Sequence, residues 1–198
     1  MRNLSVVLLA ITAAGCFDSV ENHEPPRQAV ELNNQAYRAF QQADMSQALL
    51  LVNDAIKLDA KFAAAYANKA AILDKQGKRA EAVAALETLV KLRPSDGEGY
   101  VAFGVLLEKM GRREEAEAHY GRALNLFSEQ SERASAKEKA DVEVNRAVAQ
   151  YLLGDTRGAV ATLDGVLAGN PKMEAARAYK ERIESGRREV FLNGPTAQ

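Results

Sequence analysis

Ala48, Ala82 and Ala116 stand 34 residues apart, each inside an Ala-rich apolar stretch. A unit of that length cannot bury its own apolar face, so a fixed period obliges each copy to stack on the next. The second copy runs Tyr66, Ala70, Leu73, Gly77, Ala82, Leu86, Leu89 and Pro94. The third runs Tyr100, Phe103, Gly104, Leu107, Gly111, Ala116, Tyr120 and Ala123. Apolar residues at helical spacing on either side of a glycine predict two antiparallel helices joined by a tight turn. Ala70, Ala82, Gly104 and Ala116 are small, which lets the two helices approach, and Leu73, Leu86, Leu107 and Tyr120 fill the space around them. Composition agrees: 47% apolar residues supply a core, while 6% aromatics and no Trp favour close helix packing over a sandwich of large side chains.

The series of aromatic, small residue, large apolar, Gly turn, Ala, aromatic, Ala and Pro resembles the tetratricopeptide repeat (TPR). That resemblance implies an all-α, right-handed TPR solenoid of about four helix-turn-helix repeats with a C-terminal capping helix. The first copy, 29–62, carries Leu32, Ala36, Ala48, Val52, Ala55 and Leu58, with Ala43 and Ala60 where Gly and Pro would stand. The second and third occupy 63–96 and 97–130. A fourth, 140–173, shows Gly154, Ala159, Leu163, Val166 and Pro171, displaced by nine extra residues in the polar stretch around an insert at 131–139. Ser135 and Glu138 form a capping-box pattern, so the first helix of the fourth copy is expected to start there and to be longer than its counterparts. Residues 174–198 are read as the capping helix and tail, with Met173, Ala176, Tyr179 and Ile183 on one stripe.

The first fifteen residues read as a signal peptide: Arg2, an apolar run from Val6 to Ile11 too short to span a bilayer, then Thr12-Ala13-Ala14-Gly15 before Cys16. Small residue, Gly, Cys after an apolar run resembles the lipobox of bacterial lipoproteins, with Ala13 where Leu is more usual. The resemblance implies that Cys16 is lipidated and becomes the first mature residue. At about 0.8 kcal/mol per buried CH₂, two or more acyl chains anchor a protein stably. The alternative is an ordinary secretory signal in which Cys16 is incidental. Cys16 is the only cysteine, so no intramolecular disulfide can form. Phe17 rather than Asp after the cysteine favours the outer membrane in the sorting logic of such lipoproteins, facing the periplasm. Residues 16–28, with Pro25-Pro26, are read as a tether.

A net charge of −1 offers no electrostatic footprint for nucleic acid. His23 and His119 are far apart in the chain, the Arg112 to Glu117 stretch is alternating charge on a helix, and the Gly77 and Gly111 turns are isolated, so no catalytic, metal or phosphate-binding pattern is found and no cofactor is expected. Arg112-Arg113 and Arg187-Arg188 are read as small basic surface spots.

The expected function is therefore protein binding in the concave groove of the repeats, by a membrane-tethered scaffold or adaptor in envelope or pilus assembly. A self-associating structural lipoprotein, using the insert or the apolar tail Val190-Phe191-Leu192, is the alternative, and a small-ligand carrier or cryptic enzyme ranks below it. The sixth position of each repeat's first helix is Asn34, Asn68, Ala102 and Asn145. In some members of the family such asparagines form a ladder that bonds the backbone of an extended polypeptide, and an amide can both donate and accept. The other reading is that they satisfy neighbouring helices. Tyr37, Phe40, Val101, Val105, Val148 and Tyr151 are expected beside them in the groove. Asn33, Tyr37, Glu98 and Ala102 stand where other members carry a cationic clamp for a terminal carboxylate, so that clamp is missing. Glu143, Arg146 and Gln150 are polar where packing residues are expected, which points to a rotated first helix in the fourth copy.

Overall fold

The computed structural model describes residues 23–193; Cys16 and the segment read as a signal peptide lie outside them. The described residues form two compact units, 23–95 and 96–193, and every regular element is a helix.

The first unit holds α1 (Arg27–Gln41), α2 (Met45–Leu58), α3 (Ala63–Lys75) and α4 (Arg79–Leu92). Each helix packs on the next, and α1 also touches α3, so the first helices of successive pairs adjoin. Ala36, Ala39, Ala48, Val52, Ala55, Ala65 and Ile72 form a buried cluster, against which Leu32, Phe40, Leu49 and Phe62 lean. Small side chains at the contact bring the backbones together, and the large ones close the edges. Leu58 fits the apolar period but ends α2 and is 45% exposed.

The helix ends explain the 34-residue period. The Gly77 N–H donates to the Asp74 carbonyl and the Lys78 N–H to that of Leu73, both at 2.9 Å, with Gly77 at φ +76°. This is a Schellman closure, which satisfies the carbonyls that the helix end leaves bare. The same pair of bonds recurs at Gly111 and Gly154. It recurs also at Ala43, which takes φ +61° without glycine's freedom. The residue after the turn starts the next helix: Asp44 and Asp155 accept from the N–H groups of Gln47 and Gly158 at 3.0 and 2.8 Å.

The second unit holds α5 (Gly97–Lys109), α6 (Arg113–Arg133), α7 (Ala136–Leu152), α8 (Thr156–Gly169), α9 (Glu174–Glu184) and α10 (Glu189–Asn193). Gly97 and Gly104 let α5 sit directly on α6, where Phe127 and Tyr120 fill the gap. Much of the inserted sequence is helical: it extends α6 to 21 residues, against 14 in α2 and α4. Then α7 begins after Ser135, whose N–H and hydroxyl donate to Glu138 at 3.2 and 2.6 Å, and it runs for 17 residues against 13 in α3 and α5.

The polar residues of α7 are matched by neighbours. Glu143 accepts from the Ser131 hydroxyl on the extended end of α6 and pairs with Arg146, and Gln150 accepts from the Thr162 hydroxyl on α8 at 2.9 Å. The cap α9 packs on α8 and α7 with Ala176 and Ile183 buried, and ends at Glu184. Gly186, at φ +67°, then turns the chain into α10, whose main contact is α5.

Candidate functional site

The residues expected to line a groove fall on the first helices of the pairs, four in the unit of α1 to α4 and five in that of α5 to α10. In the first unit Asn34 is exposed and Tyr37 half-buried on α1. Phe40 leans on the α1–α2 core. Asn68 on α3 is half-buried and donates its amide to Asn33 Oδ1 at 2.8 Å. The α1 partner of Asn68 is thus Asn33, which is only 7% exposed, and not Asn34 one residue on. Rotation by about 100° per residue turns Asn33 toward α3 and Asn34 to solvent.

At the start of this unit, His23 Nε2 meets Asp59 Oδ2 at 2.6 Å, and Asp59 also accepts from the Lys61 N–H at 2.9 Å. The segment before α1 is therefore fastened to the end of α2. Spacing gave no sign of this contact, which joins residues 36 apart.

In the second unit Val101, Val105, Val148 and Tyr151 are all buried. Asn145 on α7 donates to Glu98 Oε1 on α5 at 3.0 Å. Glu98 is the second residue of its repeat and Asn145 the sixth, so the pair lies one helical turn out of register, as expected of a helix displaced by an insertion. Crowding by protein around the Glu98 carboxyl raises its pKa, nearby Asp96 adds to that, and the Asn145 bond opposes both.

The largest departure from the sequence reading is at the C-terminus. Arg188, read as a surface charge, is bidentate on Glu108: Nε donates to Oε1 at 2.7 Å and Nη2 to Oε2 at 2.9 Å. Its remaining donors reach the carbonyls of Tyr151 at 3.2 Å and Leu152 at 2.6 Å, at the end of α7. A guanidinium there meets the carbonyls of the last turn, of which that of Tyr151 also accepts from the Gly154 N–H, and the negative end of the helix dipole. Tyr120 donates its hydroxyl to Glu108 Oε2 at 2.9 Å.

Burial alone would raise the Glu108 pKa. The hydrogen bonds from Arg188 and Tyr120, with the charges of Arg188 and Arg113, more than reverse this and hold it below the usual 4.5. Phe191, read as part of an exposed apolar tail, is 1% exposed, with its ring 4.7 Å from that of Tyr151 and 6.2 Å from that of Tyr179.

His119 stacks on Phe103 at 4.1 Å and lies 5.8 Å from the Tyr100 ring. Burial lowers its pKa, with Glu115 opposing and Arg112 assisting, so it behaves as a packing ring. Among the described residues no three His, Cys, Asp or Glu side chains gather to hold a metal ion, and no helix is long and apolar enough to cross a membrane.

Residues 63–96 and 97–130 match the profile of the tetratricopeptide repeat. No curated protein sequence matches significantly. Three solved structures are similar. PilW, a widely conserved type IV pilus biogenesis factor, is 20% identical with a TM-score of 0.59 over 81% of this chain and 70% of that one. TTC0263, a thermophilic TPR protein of Thermus thermophilus, is 17% identical with a TM-score of 0.60 over 81% and 83%. The TPR2B domain of yeast Sti1, in its complex with pHsp70, is 20% identical with a TM-score of 0.52 over 62% and 98%. At these identities the likeness is one of fold. The chain has an all-α TPR-type repeat fold of about four helix pairs, with α9 as its C-terminal cap.

Proposed function

We propose that this chain is a membrane-anchored scaffold that binds partner polypeptide along the first helices of its repeats, through Asn34, Tyr37, Phe40 and Asn68 in one unit and Asn145 in the other; Val101, Val105, Val148 and Tyr151, expected beside them, are buried in packing and are left out of the contact surface. The observation that carries the reading is the repeat itself. Within the first unit, helix pairs closed by the same turn bring α1 and α3 side by side, and side chains at equivalent positions then recur along one face. The exposed amide of Asn34 and the half-exposed ring of Tyr37 suit an extended backbone with apolar side chains. Lipidation at Cys16 would hold the scaffold at the outer membrane, facing the periplasm. The fold likeness to a pilus biogenesis factor makes envelope or pilus assembly the setting of choice.

The alternative of self-association through 190–192 loses its principal side chain, because Phe191 is already inside the chain. Retention of envelope polypeptides by immobilised wild type and by Asn34→Ala/Tyr37→Ala tests the binding. A polypeptide held by the first and weakened in the second, by about 0.5–1.5 kcal/mol per lost hydrogen bond, supports the reading. Equal retention moves the binding surface elsewhere. Labelling with a fatty-acid analogue in wild type and Cys16→Ser tests the anchor, and equal incorporation removes it.

A further inference from the structure

A chain that continued the repeat after Gly186 would lay its next helix against α9, as α8 lies against α7. Instead α10 returns to α5, and two side chains hold it there. Arg188 fills a socket of one carboxylate and two helix-end carbonyls drawn from α5 and α7. Phe191, three residues on, is enclosed with the rings of Tyr151 and Tyr179. Side-chain exposures of 24% for Arg188 and 10% for Glu108 show that the pair is largely sheltered.

Within α10 and the turn before it the chain supplies an arginine and a buried aromatic, one helical turn apart. Five residues of helix have no stability of their own. The fit therefore belongs to the socket, and the segment is held by tethering: a short link gives it an effective concentration in the millimolar range.

We propose that Glu108, the Tyr151 and Leu152 carbonyls and the rings of Tyr151 and Tyr179 form a binding site for a partner polypeptide with arginine three residues before phenylalanine, and that residues 188–191 occupy it until that partner displaces them. The proposal rests on the reading of the repeats as a partner-binding surface and names the partner chemistry for the second unit. The carboxylate with the α7 carbonyls selects a planar guanidinium over an ammonium, because four acceptor oxygens meet its fork of donors. The two tyrosine rings select an aromatic at the next turn.

The probe is a fluorescent peptide of residues 187–193, titrated into the full chain. Arg188→Ala/Phe191→Ala, which vacates the socket, is expected to bind it at least about ten-fold more tightly than wild type, since no tethered segment competes. Adding Glu108→Gln should abolish that binding, and a peptide with lysine for arginine should bind more weakly than the original. No binding by the vacated variant at unchanged helicity overturns the proposal, as does equal binding by wild type and variant.

Should the vacated variant melt, wild type serves: excess peptide must speed amide exchange in 189–193 while leaving α9 protected, and unchanged exchange overturns the proposal. A concentration-dependent dimer of wild type that the vacated variant does not form would assign the socket to a second copy of this chain and overturn the assignment to a separate partner. None of these readouts involves Asn34 or Tyr37, so failure here is distinguishable from failure of groove binding in the first unit.

Discussion

Gly104 faces Tyr120 so closely that a Cβ at position 104 would lie 2.4 Å from the tyrosine ring. Tyr120 is fully buried and its hydroxyl is committed to Glu108, so the ring cannot move aside freely. Gly104→Ala is therefore expected to destabilise by about 1–3 kcal/mol through overpacking. Gly121→Ala, with nothing within 4 Å of the added carbon, should be neutral or stabilising. Thermal melts of the two variants check the contrast, and equal melting would remove the packing argument.

The turn after α1 offers a test of opposite sign. Ala43 holds φ +61° where the equivalent turns have glycine. A left-handed conformation costs an alanine about 1–2 kcal/mol, partly offset by glycine's greater freedom in the unfolded chain. Ala43→Gly should stabilise by up to about 1 kcal/mol, and Gly77→Ala should destabilise by a similar amount, because space is open around Gly77 and only the backbone resists. Denaturant midpoints decide it, and a loss of stability in Ala43→Gly would contradict the turn assignment.

Asn33 and Asn34 are neighbours in sequence with different expected sensitivities. Asn68→Ala leaves the buried Asn33 without its donor and should cost about 1–3 kcal/mol. Asn34→Ala removes an exposed side chain and should change stability by no more than about 0.5 kcal/mol. Chemical denaturation separates the two, and equal costs would mean that Asn34 is also bonded within the fold.

The Glu108–Arg188 contact carries a pH signature. A carboxyl held below its ordinary value stabilises the folded chain above the unfolded pKa, and that contribution disappears as pH falls through the lower folded pKa. At pH 7, Glu108→Gln should cost about 1–3 kcal/mol, since the contact is mostly sheltered. The gap between wild type and variant should stay constant from neutral pH down to about 4.5 and close below it. Denaturation curves across that range check this, and a gap that persisted in strong acid would place its origin outside the charge on Glu108.

The periodic part of the molecule was legible in the sequence. Alanines at a 34-residue spacing, glycines at the turns and the Ser135–Glu138 pair each act through contacts within one repeat or between adjacent ones, so they leave a regular trace. Rotation about a helix axis was harder to read: Asn33 and Asn34 fit the same pattern equally well, and only packing of α3 on α1 chose between them. The insert was visible as polar sequence, yet its conversion into an extended α6, whose Ser131 meets Glu143 on α7, was not. Least legible was the return of α10, because the bond between Glu108 and Arg188 joins residues 80 apart and answers to no period. Chain order was enough for the repeat, its turns and its cap, which arise from local propensity and nearest-neighbour burial. Which polar side chains point inward, and where the C-terminus goes, were settled only on folding, because both depend on bringing together hydrogen-bonding groups that the chain keeps far apart.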